Sequence, residues 1–233
     1  MPLSPLSRRT LLAAGSVAAG ALAIPAAASA APASAEPAPT TPAAAVRRLL
    51  AGNHRFATGH ARHPHQTLDR LREVATGQDP WAVVLGCADS RVSPELLFDE
   101  GIGDLFDNRV AGNIVDDLLL GSMEYAVEEF APPLIVVLGH ERCGAVSATI
   151  NAINTGGEAP GHIASIVEAL RPIVAPYAAA PDGVERGVQA NVRAQAAAIL
   201  SRSEIIREHV ESGHGAVVGA RYDLDTGVVT LVH

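Results

Sequence analysis

Seven consecutive residues, Pro133-Leu134-Ile135-Val136-Val137-Leu138-Gly139, carry no polar side chain and end at His140. A strand with one wet face alternates apolar and polar residues. An unbroken apolar run of strand length, rich in branched side chains, suits a strand buried on both faces, as in a parallel sheet covered by helices. A second such run, Trp81-Ala82-Val83-Val84-Leu85-Gly86, ends at Cys87. Leu105–Val110 is a third candidate strand. Val46, Leu49, Leu50 and Phe56 recur at helical spacing and predict a helix over 43–58. Further helices are expected at 67–76, 115–130, 143–154, 161–175 and 183–211, with a break near Pro176–Gly183. Two late strands, Ala216–Gly219 and Val228–Val232, flank the turn Asp225-Thr226-Gly227 and read as a hairpin. Strands alternating with helices predict an α/β fold with a mainly parallel sheet. In such sheets functional groups gather at the carboxyl ends of strands, where both Cys87 and His140 stand.

The first thirty residues read differently. Ser7-Arg8-Arg9-Thr10-Leu11-Leu12, the apolar run Leu11–Ile24 and the small-residue site Ala28-Ser29-Ala30 resemble a twin-arginine export signal. The expected organisation is a signal peptide over 1–30, an Ala/Pro-rich linker over 31–42 and one domain over 43–233. The apolar run is short for a membrane span. The mature protein is therefore expected to be periplasmic, wall-associated or secreted, with no stable membrane association. The formal charge of −8, from 17 arginines, no lysine and 25 acidic residues, argues against nucleic acid as a partner.

Only two cysteines are present, and in an exported protein they suggest a disulfide by default. The surrounding motifs offer a second reading. Cys87-Ala88-Asp89-Ser90-Arg91 follows one buried strand, and His140-Glu141-Arg142-Cys143-Gly144 follows the other. Cys87, His140 and Cys143 form a two-sulfur, one-nitrogen set suited to tetrahedral zinc with an open fourth position. Gly144 is expected to relieve crowding beside Cys143, and the amino end of the following helix to favour its thiolate. Asp89 is the natural fourth group, either as a ligand or as acceptor of a hydrogen bond from bound water. Arg91 is placed to hold that carboxylate ionised and oriented. Each residue alone has an ordinary reading: a buried small side chain, a disulfide half, a surface ion pair, a loop histidine. The two motifs together are hard to obtain from packing alone. His54, His60, His63 and His65 read as solvated loop histidines, with a second metal site or proton shuttle as the sharper alternative. Glu124, Glu128 and Glu129 read as a solvated helix face.

Cys-Ala-Asp-Ser-Arg with His-x-x-Cys-Gly resembles the β-class carbonic anhydrases. Gly52-Asn53-His54-Arg55-Phe56, His63-Pro64 and Arg109-Val110-Ala111-Gly112-Asn113 extend the likeness, which runs from about residue 43 to the end. The resemblance implies Zn2+ held by Cys87, His140 and Cys143. It implies Asp89 paired with Arg91 in the active form, or on the metal in an inactive form, and a substrate-facing amide at Gly144. The reaction implied is reversible hydration of carbon dioxide to bicarbonate and a proton by a zinc-bound hydroxide. The fold implied is a mostly parallel sheet of four strands with an added strand, with an amino-terminal helical arm reaching over a partner in a homodimer or tetramer. One subgroup of the family has an inhibitory bicarbonate pocket built on a Trp, an Arg and a Tyr. Here Val84 takes the Trp position, the Tyr region near Ala197 is Ala-rich, and only Arg109 remains, so that inhibition is expected to be missing. Two other functions are kept open: hydrolysis of carbon disulfide or carbonyl sulfide on the same site, and a non-catalytic exported zinc-binding protein. Thiol redox chemistry is disfavoured by the lack of Cys-x-x-Cys.

Overall fold

A computed structural model describes residues 36–233; the signal-like segment and residues 31–35 of the linker lie outside the described residues. The chain order is α1 (Pro42–Ala57), α2 (Leu68–Glu73), β1 (Ala82–Gly86), α3 (Pro94–Leu97), β2 (Leu105–Arg109), α4 (Asp117–Phe130), β3 (Leu134–His140), α5 (Gly144–Thr155), α6 (Ile163–Val174), α7 (Gly183–Arg202), α8 (Glu204–Glu211), β4 (Val217–Tyr222) and β5 (Val229–Val232). The strands form one sheet in the order β2-β1-β3-β4-β5. The first four are parallel, and β5 pairs antiparallel with β4 as the expected hairpin. Among the described residues, no helix is long and apolar enough to cross a membrane.

Both apolar runs form central strands, and every residue of β1 and β3 is buried. Side chains alternate between the two faces of a strand. Val84, Leu134, Val136 and Leu138 therefore pack on one side with Ala45 and Leu49 of α1, while Val83, Leu85, Ile135 and Val137 pack on the other with α4, α7 and α8. Each such side chain contributes about 1.5–3 kcal/mol on burial. A third apolar cluster lies beyond the strand ends: Val146, Ile150, Leu170, Val174 and Val188 surround Cys87 and Cys143.

Capping residues explain several helix boundaries. Thr41 caps α1, with Pro42 at its first turn, and Thr67 caps α2. The single helical stretch expected over 183–211 is two helices, because Ser203 closes α7 and its hydroxyl accepts the amide of Ile206 to open α8. The four-residue α3 was not anticipated; it is too short to show periodicity.

The family resemblance implied amino-terminal helices reaching over a partner. Within this chain α1 lies on its own sheet. Asn53 Nδ2 donates to the carbonyls of Leu97 and Gly227, and its Oδ1 accepts from Val229 N. Arg48 bonds Glu100 at 2.6 Å and stacks over Trp81. The short α2 extends further from the core, with Leu68 and Leu71 exposed.

Candidate metal centre

Parallel pairing of β1 and β3 sets Gly86 beside Leu138, so the chain leaves both strands at the same end of the sheet. Cys87 follows β1 directly, and His140 is the last residue of β3. Cys143 stands three residues on, at the amino-terminal cap of α5. These three side chains are buried, and their donor atoms lie within 4.8 Å of one another. A tetrahedral zinc site needs donor separations of roughly 3.5–3.8 Å, which that limit admits. Both cysteines are free thiols, so the disulfide alternative does not describe this fold.

The histidine gives the clearest sign of a missing partner. Its Nδ1 lies 2.9 Å from the backbone carbonyl of Glu141, and its Nε2 is buried with no hydrogen-bond partner. A buried polar atom left unpaired is costly. A backbone carbonyl holding one ring nitrogen while the other faces outward is the arrangement that orients a metal-binding histidine. The Cys143 sulfhydryl beside Cys87 holds the Cys87 thiol well below its ordinary range, helped by His140 and the Gly112 amide, while the same contact and burial push Cys143 up. Two soft thiolate-forming sulfurs and one imidazole make a donor set that fits zinc.

Asp89 faces this trio from the mouth of the site. Its Oδ2 lies 3.9 Å from His140 Nε2, too far for a hydrogen bond. Arg91 holds it there: Oδ1 accepts from the Arg91 Nε at 2.9 Å and backbone N at 3.0 Å, and Oδ2 accepts from Nη2 at 2.8 Å. This two-pronged contact keeps the Asp89 carboxyl well below the usual carboxylate range. Arg109 fixes the same loop from below by donating to the carbonyls of Cys87 and Asp89.

Residues 82–229 match the carbonic anhydrase family. Solved structures of like fold include a β-carbonic anhydrase from Coccomyxa in complex with acetazolamide (29% identity, TM-score 0.62, covering 79% of this chain and 84% of that one). Tetrameric β-carbonic anhydrases from Sordaria macrospora are similarly alike (27% identity, TM-score 0.64, covering 80% and 96%). This chain belongs to the β-class carbonic anhydrases. Among relatives, it is 44% identical over 191 residues to carbonic anhydrase 2 of Mycobacterium tuberculosis, covering 81% of this chain and 91% of that one. It is 42% identical over 189 residues to a carbonic anhydrase of Mycolicibacterium smegmatis, covering 81% and 92%.

As a β-class carbonic anhydrase, the chain brings all of its sequence-predicted site residues to one sheet end, with one correction. A Cβ on Gly144 would meet nothing within 4 Å, so this glycine does not relieve crowding beside Cys143. Its bare backbone instead leaves open space at the start of α5. The four amino-terminal histidines do not gather into a site. Among the described residues only two groups of three donors come together, and neither includes them; His65 pairs with Asp104. The second group, Glu141, Asp223 and Asp225, is tied into ion pairs with Arg142 and Arg221.

Two supports of the site escaped the sequence reading. Arg142 adopts the left-handed conformation (φ 53°) between His140 and Cys143, and its guanidinium grips Asp225 in the β4–β5 turn at 2.6 and 2.9 Å. Asn191 and Gln195 of α7 lie buried behind the loop that reaches the Cys87 sulfur. Their signal was available: two amides stand at i and i+4 within the otherwise apolar face Val188, Val192 and Ile199.

Proposed function

We propose that Cys87, His140 and Cys143 hold Zn2+ and that the site interconverts carbon dioxide and bicarbonate. One observation carries this reading: a buried Cys-His-Cys trio with a partnerless His140 Nε2, faced by a carboxylate that Arg91 holds 3.9 Å away. Bound there, zinc would lower the pKa of a coordinated water to about 7 and so supply hydroxide near neutral pH.

The chain's own residues do the rest. Asp89 is ionised and can only accept, so it accepts a hydrogen bond from the attacking water or hydroxide and turns an oxygen lone pair toward the carbon of carbon dioxide. Arg91 keeps Asp89 in that role and away from the fourth metal position. The Gly144 amide lies in the first turn of α5, where amides lack acceptors within the helix, and it donates to a substrate oxygen. Carbon dioxide and water give bicarbonate and a proton, and the proton leaves to buffer through the half-open mouth beside Arg91.

The test is stopped-flow hydration of carbon dioxide by the zinc-loaded protein, near neutral and at mildly alkaline pH. Wild type is expected to be active, and Asp89→Ala and Cys143→Ala to lose at least about 100-fold. Zinc-loaded protein that turns over carbonyl sulfide or carbon disulfide but not carbon dioxide would reassign the substrate. Zinc-loaded protein inert to all three would make this a non-catalytic metal protein.

Three further readings accompany the proposal. Residues 1–30 direct export by the twin-arginine route, which carries folded proteins and so allows metal loading before an oxidising compartment is met. Replacing Arg8 and Arg9 with lysine should leave the protein in the cytoplasm. The protein acts as a homodimer or tetramer, to be checked by light scattering. Bicarbonate inhibition is missing, since Val84 is sealed in the core and Arg109 is occupied by the Cys87 and Asp89 carbonyls. Loss of activity at raised bicarbonate and low pH would overturn that last point.

A further inference from the structure

We infer that Asn191, braced by Gln195, is a positioning residue that sets how firmly Cys87 holds its metal. The inference rests on the reading of Cys87 as a zinc ligand. The backbone N–H of Gly112 donates to Cys87 Sγ at 3.4 Å. Gly112 has φ 80°, and a Cβ there would stand 3.1 Å from both Ala145 and Leu170, so a side chain at this position would be strained and crowded. Asn191 Nδ2 donates to the Gly112 carbonyl at 2.8 Å. Gln195 Nε2 donates to Asn191 Oδ1 at 2.9 Å, which fixes which way the Asn191 amide points. Gln195 Oε1 in turn accepts from Val115 N at 2.9 Å. The pair therefore staples both ends of the segment Gly112–Val115 to α7.

Asn191 and Gln195 are 1% and 5% exposed, on a helix face that is otherwise apolar. Apolar side chains would fill the same volume without the cost of burying two amides. What apolar side chains cannot do is hold the Gly112 amide on the sulfur. That hydrogen bond aims a sulfur lone pair and draws electron density from it, and such supports change metal affinity by about 10–100-fold.

The experiment uses the full-length chain loaded with zinc, or with cobalt as a coloured substitute. Zinc transfer to a chromogenic chelator and the sulfur-to-cobalt charge-transfer band are recorded below the melting temperature. Asn191→Leu is expected to release zinc at least about tenfold faster and to shift the band. Ser203→Ala, which removes the hydroxyl that caps α8 by accepting from Ile206 N, should lower stability while leaving both readouts unchanged. If Asn191→Leu does not fold, Gln195→Glu serves: it retains the acceptor for Val115 and loses the donor to Asn191, and should shift both readouts in the same direction. Unchanged release and spectrum in the folded variant would overturn this inference alone, as would equal loss in Ser203→Ala. Wild-type protein that binds no zinc would overturn the reading beneath it.

Discussion

Arg91 and Asp89 form a latch whose two halves have different consequences. Removing Arg91 leaves the carboxylate free to swing the remaining distance toward the metal position. Arg91→Leu is expected to retain one zinc per chain yet lose about 10–100-fold in hydration near neutral pH, measured by metal analysis alongside stopped-flow assay. At Asp99 the same chemistry serves stability. Burial would push this carboxyl up, but the Arg55 guanidinium and the amides of Arg62 and His63 outweigh it and leave it below the usual range. A carboxyl lowered in the folded state stabilises above its unfolded pKa, near 3.9, and that contribution is lost as pH falls through the folded value. Asp99→Asn breaks the buried pair with Arg55 and should cost about 3–5 kcal/mol near neutral pH, with the gap to wild type narrowing as pH falls through the folded value of Asp99 in denaturant titrations. Of the proposed metal ligands, Cys87 and His140 were legible in sequence because each follows directly on an apolar run, and Cys143 because it stands three residues after His140. Arg142 was not, since its partner Asp225 lies far along the chain, while Asn191 and Gln195 showed only as two amides interrupting an apolar face, with no sign of the Gly112 and Val115 backbone groups they hold.

At the scale of elements, strands β1 and β3 were legible for a physical reason: burial on both faces leaves an unbroken apolar signature. The docking of α1 was less so. Its apolar stripe announces a helix with something to cover, but not whether that surface belongs to its own chain. Asn53 supplies part of the answer, since its amide bonds three backbone groups spread across two distant segments. Asn53→Ala would leave those buried groups unpaired, and a loss of about 2–3 kcal/mol is expected in chemical denaturation, with little effect on zinc content. Limited proteolysis should show the α1 segment opening first in that variant.

Taken whole, the molecule gathers its proposed metal donors at the ends of two neighbouring strands and in the turn after the second, and lets the chain wander between them through α3, β2 and α4 before returning. An ion gripping Cys87, His140 and Cys143 would do more than prepare water for attack. It would close that excursion like a clasp on a long cord, and a polymer so fastened has fewer ways to come apart. Because the three donors meet only in the folded sheet, the ion's binding energy is also folding energy. Stripping the metal with a chelator should therefore lower the thermal unfolding midpoint, and restoring zinc should raise it in step with zinc concentration. Sequestering the metal would then erode the lifetime of the fold as well as its turnover.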